Sequence, residues 1–295
     1  MKSLSFVVFI FLFSWSTAFS QKLSTAWEDL TASDFTLAVQ QSEGVCLIPM
    51  GVIEKHGQHL PLGTDVFNVR EVCLRAAAKE YCIVFPFYYM GQIFEAQQQP
   101  GTISYSSELL FRFLDETCKE ISRNGIKKII LVNGHGGNVS FLPYFCQIQM
   151  ATPRDYAVYA ITSPLLSPDV QKKISEIRKS STGGHADELE TSSVMAVRPD
   201  LVKMERVSDE SGSDLGRLQH LPPALYTGVW WYARYPNHYA GDAKDATPEL
   251  GEIIIEGRSQ QLSEVIKAVK ADQTTLRVQN EFFRESQSPI ETKAK

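Results

Sequence analysis

The chain has 295 residues, 43% of them hydrophobic and 21% charged, the composition of an ordinary globular protein with one large domain or two small ones. Its net charge is -5 and no basic stripe interrupts it. That argues against nucleic acid as a partner, since neutralising phosphates needs clustered Lys and Arg.

The N-terminus reads as a targeting segment. Lys2 precedes the apolar run 6–13, and small residues follow near Ala18 and Ser20. This pattern predicts a signal peptide over residues 1–20 and a periplasmic or extracellular protein. The run is short for a membrane span, and no later stretch is apolar enough for one. An uncleaved N-terminal anchor is the alternative. Five cysteines (Cys46, Cys73, Cys82, Cys118 and Cys146) make an odd number with no CxxC pair. Each sits in an apolar pattern and is expected as a buried free thiol. One bridge stays open in an oxidising compartment.

Residues 27–30 form a short opening segment and 34–41 a helix. Residues 45–50 are a continuous apolar run ended by Gly51, a buried strand. Residues 66–80 have helical spacing, with Val69, Val72, Cys73 and Ala76 on one face. A short strand is expected at 82–87. An amphipathic helix follows at 107–123, capped by Ser106 or Ser107 and stopped at Gly125. Further strands are expected at 128–132 and 156–162, around a helix at 138–150. Residues 167–179 are a helix or a mobile loop, and 187–196 a helix whose acidic first turn suits its dipole. Residues 207–225 read as irregular and 230–239 as an aromatic-dense loop. Residues 248–270 read as a long helix opened at Thr247 and Pro248. A polar tail covers 286–295. With no repeat and no linker, residues 21–285 are expected to form one domain.

Strands alternating with helices predict an α/β domain whose mostly parallel sheet is covered on both faces. Sites in such sheets lie beyond the carboxyl ends of the strands. Glu54, His56 and Asp65 follow one strand, and His135 follows another. Glu54 and His56 are two apart, so an extended backbone puts them on one face. Carboxylates with an imidazole suit Zn²⁺, Mn²⁺ or Fe²⁺, and a bridging carboxylate serves a second ion. Solvated loop residues are the bland alternative. In the NGHGGN string at 133–138, the glycines permit tight turns beside His135 and close approach of a substrate. A phosphate loop there would need a following Lys-Ser/Thr, which is missing. In GGHADELETSS at 183–193, His185 precedes Asp187, Glu188 and Glu190. Glu190 shares a helix face with Val194, so it is expected inward and Glu188 solvated. His185 could equally be a helix-cap residue.

The strings IPMGVIEKHGQHLPLGTD, GTISYS, KKIILVNGHGGN and HADELETS, in this order between residues 45 and 197, resemble the creatininase (creatinine amidohydrolase) family. The resemblance implies a three-layer α/β/α sandwich, a two-ion metal centre and a hydrolase. It places Glu54, His56, Asp65 and His135 on metal ligands, with Asp65 bridging, and His185 on the catalytic histidine. It implies a bridging hydroxide as nucleophile, zinc as the leading ion, and a homo-oligomer, with hexamers among the relatives. One departure stands out: Gly137 occupies the position where true creatininases carry a ligating glutamate, and Glu190 is the expected replacement. His59, Gly136, Gly137, Asn138, Trp230, Trp231 and His238 are the expected contacts to a small-molecule substrate. The expected reaction is cleavage of a C–N bond in a small amide or cyclic amide. Ring opening of a cyclic keto-sugar and metal or ligand binding without catalysis are the alternatives.

Overall fold

The computed structural model describes residues 23–291. The expected signal peptide and residues 292–295 of the tail lie outside them. Four parallel strands form the sheet: β1 (Val45–Met50), β2 (Ile83–Val84), β3 (Lys128–Asn133) and β4 (Ala157–Ile161), in the order β2-β1-β3-β4. Strand β2 keeps only two residues of ladder, because the chain at 85–90 turns toward single pairings such as that of Met50 with Tyr88.

The period-2 alternation of β1 and β3 feeds two cores. Cys46, Ile48 and Met50, with Ile129 and Leu131, face α1 (Ala32–Gln41), α3 (Ser107–Arg123) and α4 (Asn138–Ile148). Val45 and Leu47, with Ile130 and Val132, face α2 (Thr64–Lys79) and the long α8 (Pro248–Ala271). The result is the expected three-layer α/β/α sandwich. Ser106 caps α3 through the Leu109 N–H, and Thr247 caps α8 through Leu250.

Three further helices lie between β4 and α8: α5 (Pro168–Ile177), α6 (Glu188–Val197) and α7 (Trp230–Arg234). The segment at 167–179 is thus a helix. The aromatic stretch, expected as a loop, contains a helical turn. A two-stranded antiparallel ribbon, β5 (Gly183–His185) with β6 (Ala240–Gly241), ties the two halves of this region together. After α8 comes α9 (Thr275–Glu285), which the sequence reading missed. Gln279 fastens it to the carbonyls of Arg154 and Tyr156 beside β4. All five cysteines are free thiols, and four are buried. Among the described residues no helix is long and apolar enough to cross a membrane.

Candidate metal centre and active site

The carboxyl ends of β1 and β3 set the site. Two glycines bring α2 against them. A Cβ on Gly51 would lie 2.6 Å from the Val66 nitrogen, and one on Gly134 would lie 2.7 Å from the Val69 Cβ. Only glycine permits this approach, and it delivers Asp65, in the first turn of α2, between the two strand exits. Asn133 stiffens the second exit: its side chain accepts from the His135 N–H and donates to the His135 and Thr162 carbonyls.

Glu54, His56, Asp65, His135 and His185 are all buried. Their ligand atoms gather in three overlapping triples, each within 4.8 Å: Glu54, Asp65 and His135; His56, Asp65 and Glu190; Glu54, His56 and His185. His135 Nδ1 stands 2.7 Å from Glu54 Oε1 and 3.0 Å from Asp65 Oδ2. Neither of those buried oxygens receives a well-directed hydrogen bond. His56 Nε2 faces Asp65 Oδ1 at 3.2 Å and Glu190 Oε2 at 3.8 Å. His185 Nδ1 lies 3.9 Å from Glu190 Oε2.

The opposite ring nitrogens are already engaged. His135 Nε2 donates to the Gln92 carbonyl at 2.8 Å, His56 Nδ1 to the Glu54 carbonyl at 3.2 Å, and His185 Nε2 to the Lys55 carbonyl at 2.8 Å. Each imidazole thus fixes one N–H on a backbone carbonyl and turns its other nitrogen toward carboxylates. Metal-binding histidines are held in this way. Mixed carboxylate and imidazole donors also match divalent ions of the zinc and manganese type.

The electrostatics agree with that fit. Burial lowers the His135 imidazole, but Glu54 and then Asp65 outweigh it and raise it well above its ordinary value. Burial likewise opposes protonation of His56, yet Asp65, Glu54 and Glu190 bring it up to about 9. Burial, opposed by His56 and reinforced by Asp65 and Asp187, lifts Glu190 to about 7. His185 goes the other way: burial, and then His56, push it well below its ordinary value. Three carboxylates confined this closely call for cations among them.

The expected site residues fall into distinct places. Glu190 lies inward beside His56 and Asp65, and the Ala186 N–H donates to its Oε2 at 2.6 Å. Ala186 takes a left-handed φ of 56° to do so. Glu188 is not solvated: it is buried and accepts the N–H groups of Lys179 and Ser180. Gly137 offers no open space toward Glu190. A Cβ there would overlap the Gln92 side chain and carbonyl and the His135 Nε2. Asn138 is buried, and its Oδ1 accepts the Gln92 N–H.

His238, expected as a polar handle for substrate, is buried and donates Nε2–H to Glu54 Oε2. Its Nδ1 accepts the Trp231 indole N–H at 2.8 Å. Trp231 and His238 therefore hold a carboxylate in place rather than forming an open aromatic wall. His59 donates to Thr191 Oγ1 at 3.0 Å and belongs to none of the triples. A cavity of about 270 Å³ opens beside Asp65, His135 and Glu190. Of the expected substrate contacts, Gly136 lines it; His59, Gly137, Asn138, Trp230, Trp231 and His238 do not. Sequence reasoning missed Gln92 and Lys55, which act through backbone carbonyls and leave no side-chain signal. It also missed Arg258 of α8, on the cavity wall.

The family model for creatininase, creatinine amidohydrolase, matches residues 28–266. The creatinine amidohydrolase of Pseudomonas putida is 27% identical over 259 residues, covering 81% of this chain and 95% of that protein. The mycofactocin precursor peptide peptidase of Mycolicibacterium smegmatis is 28% identical over 236 residues, covering 78% of this chain and 87% of that protein. A crystal structure of creatinine amidohydrolase superposes with a TM-score of 0.71 at 25% identity, over 85% of this chain and all of that one.

Proposed function

The chain belongs to the creatininase family, and from that premise we propose that it is a hydrolase that holds two divalent ions and cleaves a C–N bond in a small amide. The observation that carries this reading is the pair of triples sharing Asp65: Glu54, Asp65 and His135 for one ion, and His56, Asp65 and Glu190 for the other. Such ions supply Lewis acidity toward a carbonyl and bring the pKa of a bound water to about 7. Zinc leads on the donor set, with manganese and iron next. The three carboxylates offset all but one of the four positive charges two such ions bring.

His185 is placed to move the proton. Its Nε2–H is committed to the Lys55 carbonyl, so Nδ1 is the working nitrogen and starts as an acceptor. It takes the proton of the attacking water and then delivers it to the leaving nitrogen. Glu54 keeps its orientation through His238 and Trp231. The names of the Pseudomonas and Mycolicibacterium relatives, an amidohydrolase and a peptide peptidase, support an amide as substrate. Export by residues 1–20 and assembly into a homo-oligomer belong to the same reading.

Elemental analysis of protein purified without chelator is the first test, with about two divalent ions per chain expected. A panel of linear and cyclic amides set beside cyclic ketones is the second. Turnover of the ketones alone would replace C–N cleavage with C–C cleavage. Two ions with no turnover that depends on His185 would point to a binding protein.

A further inference from the structure

One part of the lining of the cavity beside Asp65, His135 and Glu190 takes no role in the proposed reaction. Arg258 stands there, among apolar groups that include Val72 and Leu262. Among the described residues its guanidinium makes no ion pair and no hydrogen bond, and its solvent-shielded Nε has no partner. Glu190 and Asp187 are near enough to favour its charge, yet burial prevails and lowers its pKa. Asn68 also lines the cavity and carries a solvent-shielded Oδ1 without a hydrogen-bond partner.

An unpaired guanidinium in a half-apolar cavity is costly, and its planar fork matches a carboxylate. A neutral ligand would leave that charge uncompensated, whereas an anionic one would neutralise it. The cavity is also small, at about 270 Å³, near the lower end for ligand pockets. That suits a molecule of amino-acid size rather than a folded or extended chain.

We infer that the substrate is a small amide bearing a carboxylate, which Arg258 pairs with while its amide is presented to the metal-type cluster. This rests on the hydrolase reading above, and its test separates the two. Metal-loaded full-length protein is assayed for turnover, and by calorimetry for binding, with matched pairs: dihydroorotate and dihydrouracil, 5-oxoproline and 2-pyrrolidinone. In the unaltered protein the acid of a pair should be favoured at least ~10-fold in kcat/KM or Kd, as one desolvated charge pair supports. Arg258→Met should collapse that acid-to-neutral ratio, mainly through KM, and Arg258→Lys should retain part of it. Thermal melting of each variant shows that the fold is kept.

An acid-to-neutral ratio near one in the unaltered protein, or one unmoved by Arg258→Met, overturns the inference. Acid binding that depends on Arg258 without turnover of any amide keeps the carboxylate site and sinks amide hydrolysis. Turnover of both members at a ratio independent of Arg258 does the reverse.

Discussion

His238 donates its Nε2–H to Oε2 of Glu54 from 184 positions further along the chain, and Trp231 donates in turn to His238 Nδ1. A buried carboxylate is thereby aimed by a relay whose parts come from β1 and from the α7 region. Its other oxygen, Oε1, stays directed at His135. His238→Ala is expected to lower metal affinity about 10- to 100-fold, the usual effect of removing a partner that orients a ligand. Trp231→Phe removes the indole N–H with part of the ring but leaves His238 on Glu54, and should cost less. Competition titration with a fluorescent chelator would measure both, and unchanged affinity in His238→Ala would dismiss the relay.

Glu190→Gln keeps the side chain's size but weakens it as a ligand. The metal content should fall from about two ions per chain to about one, by mass spectrometry of the native protein. Retention of both ions would remove Glu190 from the ligand set.

Gly137 is expected to tolerate no side chain. Gln92 and the His135 ring already fill the volume a Cβ would need. Gly137→Ala should destabilise by about 1–3 kcal/mol, the typical range for overpacking, read from urea unfolding. Gly137→Glu should be worse still and should not add a ligand. A Gly137→Glu protein that is stable and binds metal more tightly would show that the local packing has been misread.

Ala186 holds a left-handed backbone, and that turn aims its N–H at Glu190. Ala186→Gly should preserve activity and relieve up to roughly 1 kcal/mol of strain. Ala186→Val, with a β-branched side chain at positive φ, should lose both stability and activity. Parallel melting curves and rates would show whether the two variants diverge in this way.

His59 links folding to pH. Burial, with His56, holds its imidazole down to about 4, below the ordinary value of about 6.5. The proton therefore prefers the unfolded chain. The stabilisation is complete above about pH 6.5 and is lost as pH falls through about 4. Its full size is on the order of 3 kcal/mol. Urea unfolding at pH 7 and pH 4 should show the native protein losing about that much more than His59→Gln. Groups in the metal-type cluster titrate in both proteins, so everything but the coupling of His56 to His59 cancels in the difference. Equal losses would show that His59 is not held neutral.

The strands and their order of appearance were legible because β1 and β3 are unbroken apolar runs. The ligand candidates were legible because Glu54 and His56 share a face just past one strand and His135 follows another. What failed was whatever depends on distant partners. Helix-face spacing put Glu188 in solvent, but its carboxylate reaches back to two N–H groups of the preceding loop. His238 looked like a handle in an aromatic loop, and nothing near it in sequence reveals Glu54 as its partner. Gln92 acts through its carbonyl and by filling volume, which no residue pattern announces. Helix α9 at 275–285 follows α8 after only three residues, without a side-chain cap and with Phe283 as its one buried residue, so little in the local sequence marks it as a separate element.

The left-handed Ala186, the relay from Trp231 and the wall at Arg258 all belong to the last two-fifths of the chain. A polypeptide emerging from the ribosome displays the whole 45–65 stretch long before any of them is made. Until then Glu54 has no His238 to orient it, and Asp65 and His56 have no Glu190 opposite them. Metal capture is thus expected to be a late event in the maturation of this protein, contingent on synthesis having passed beyond α7.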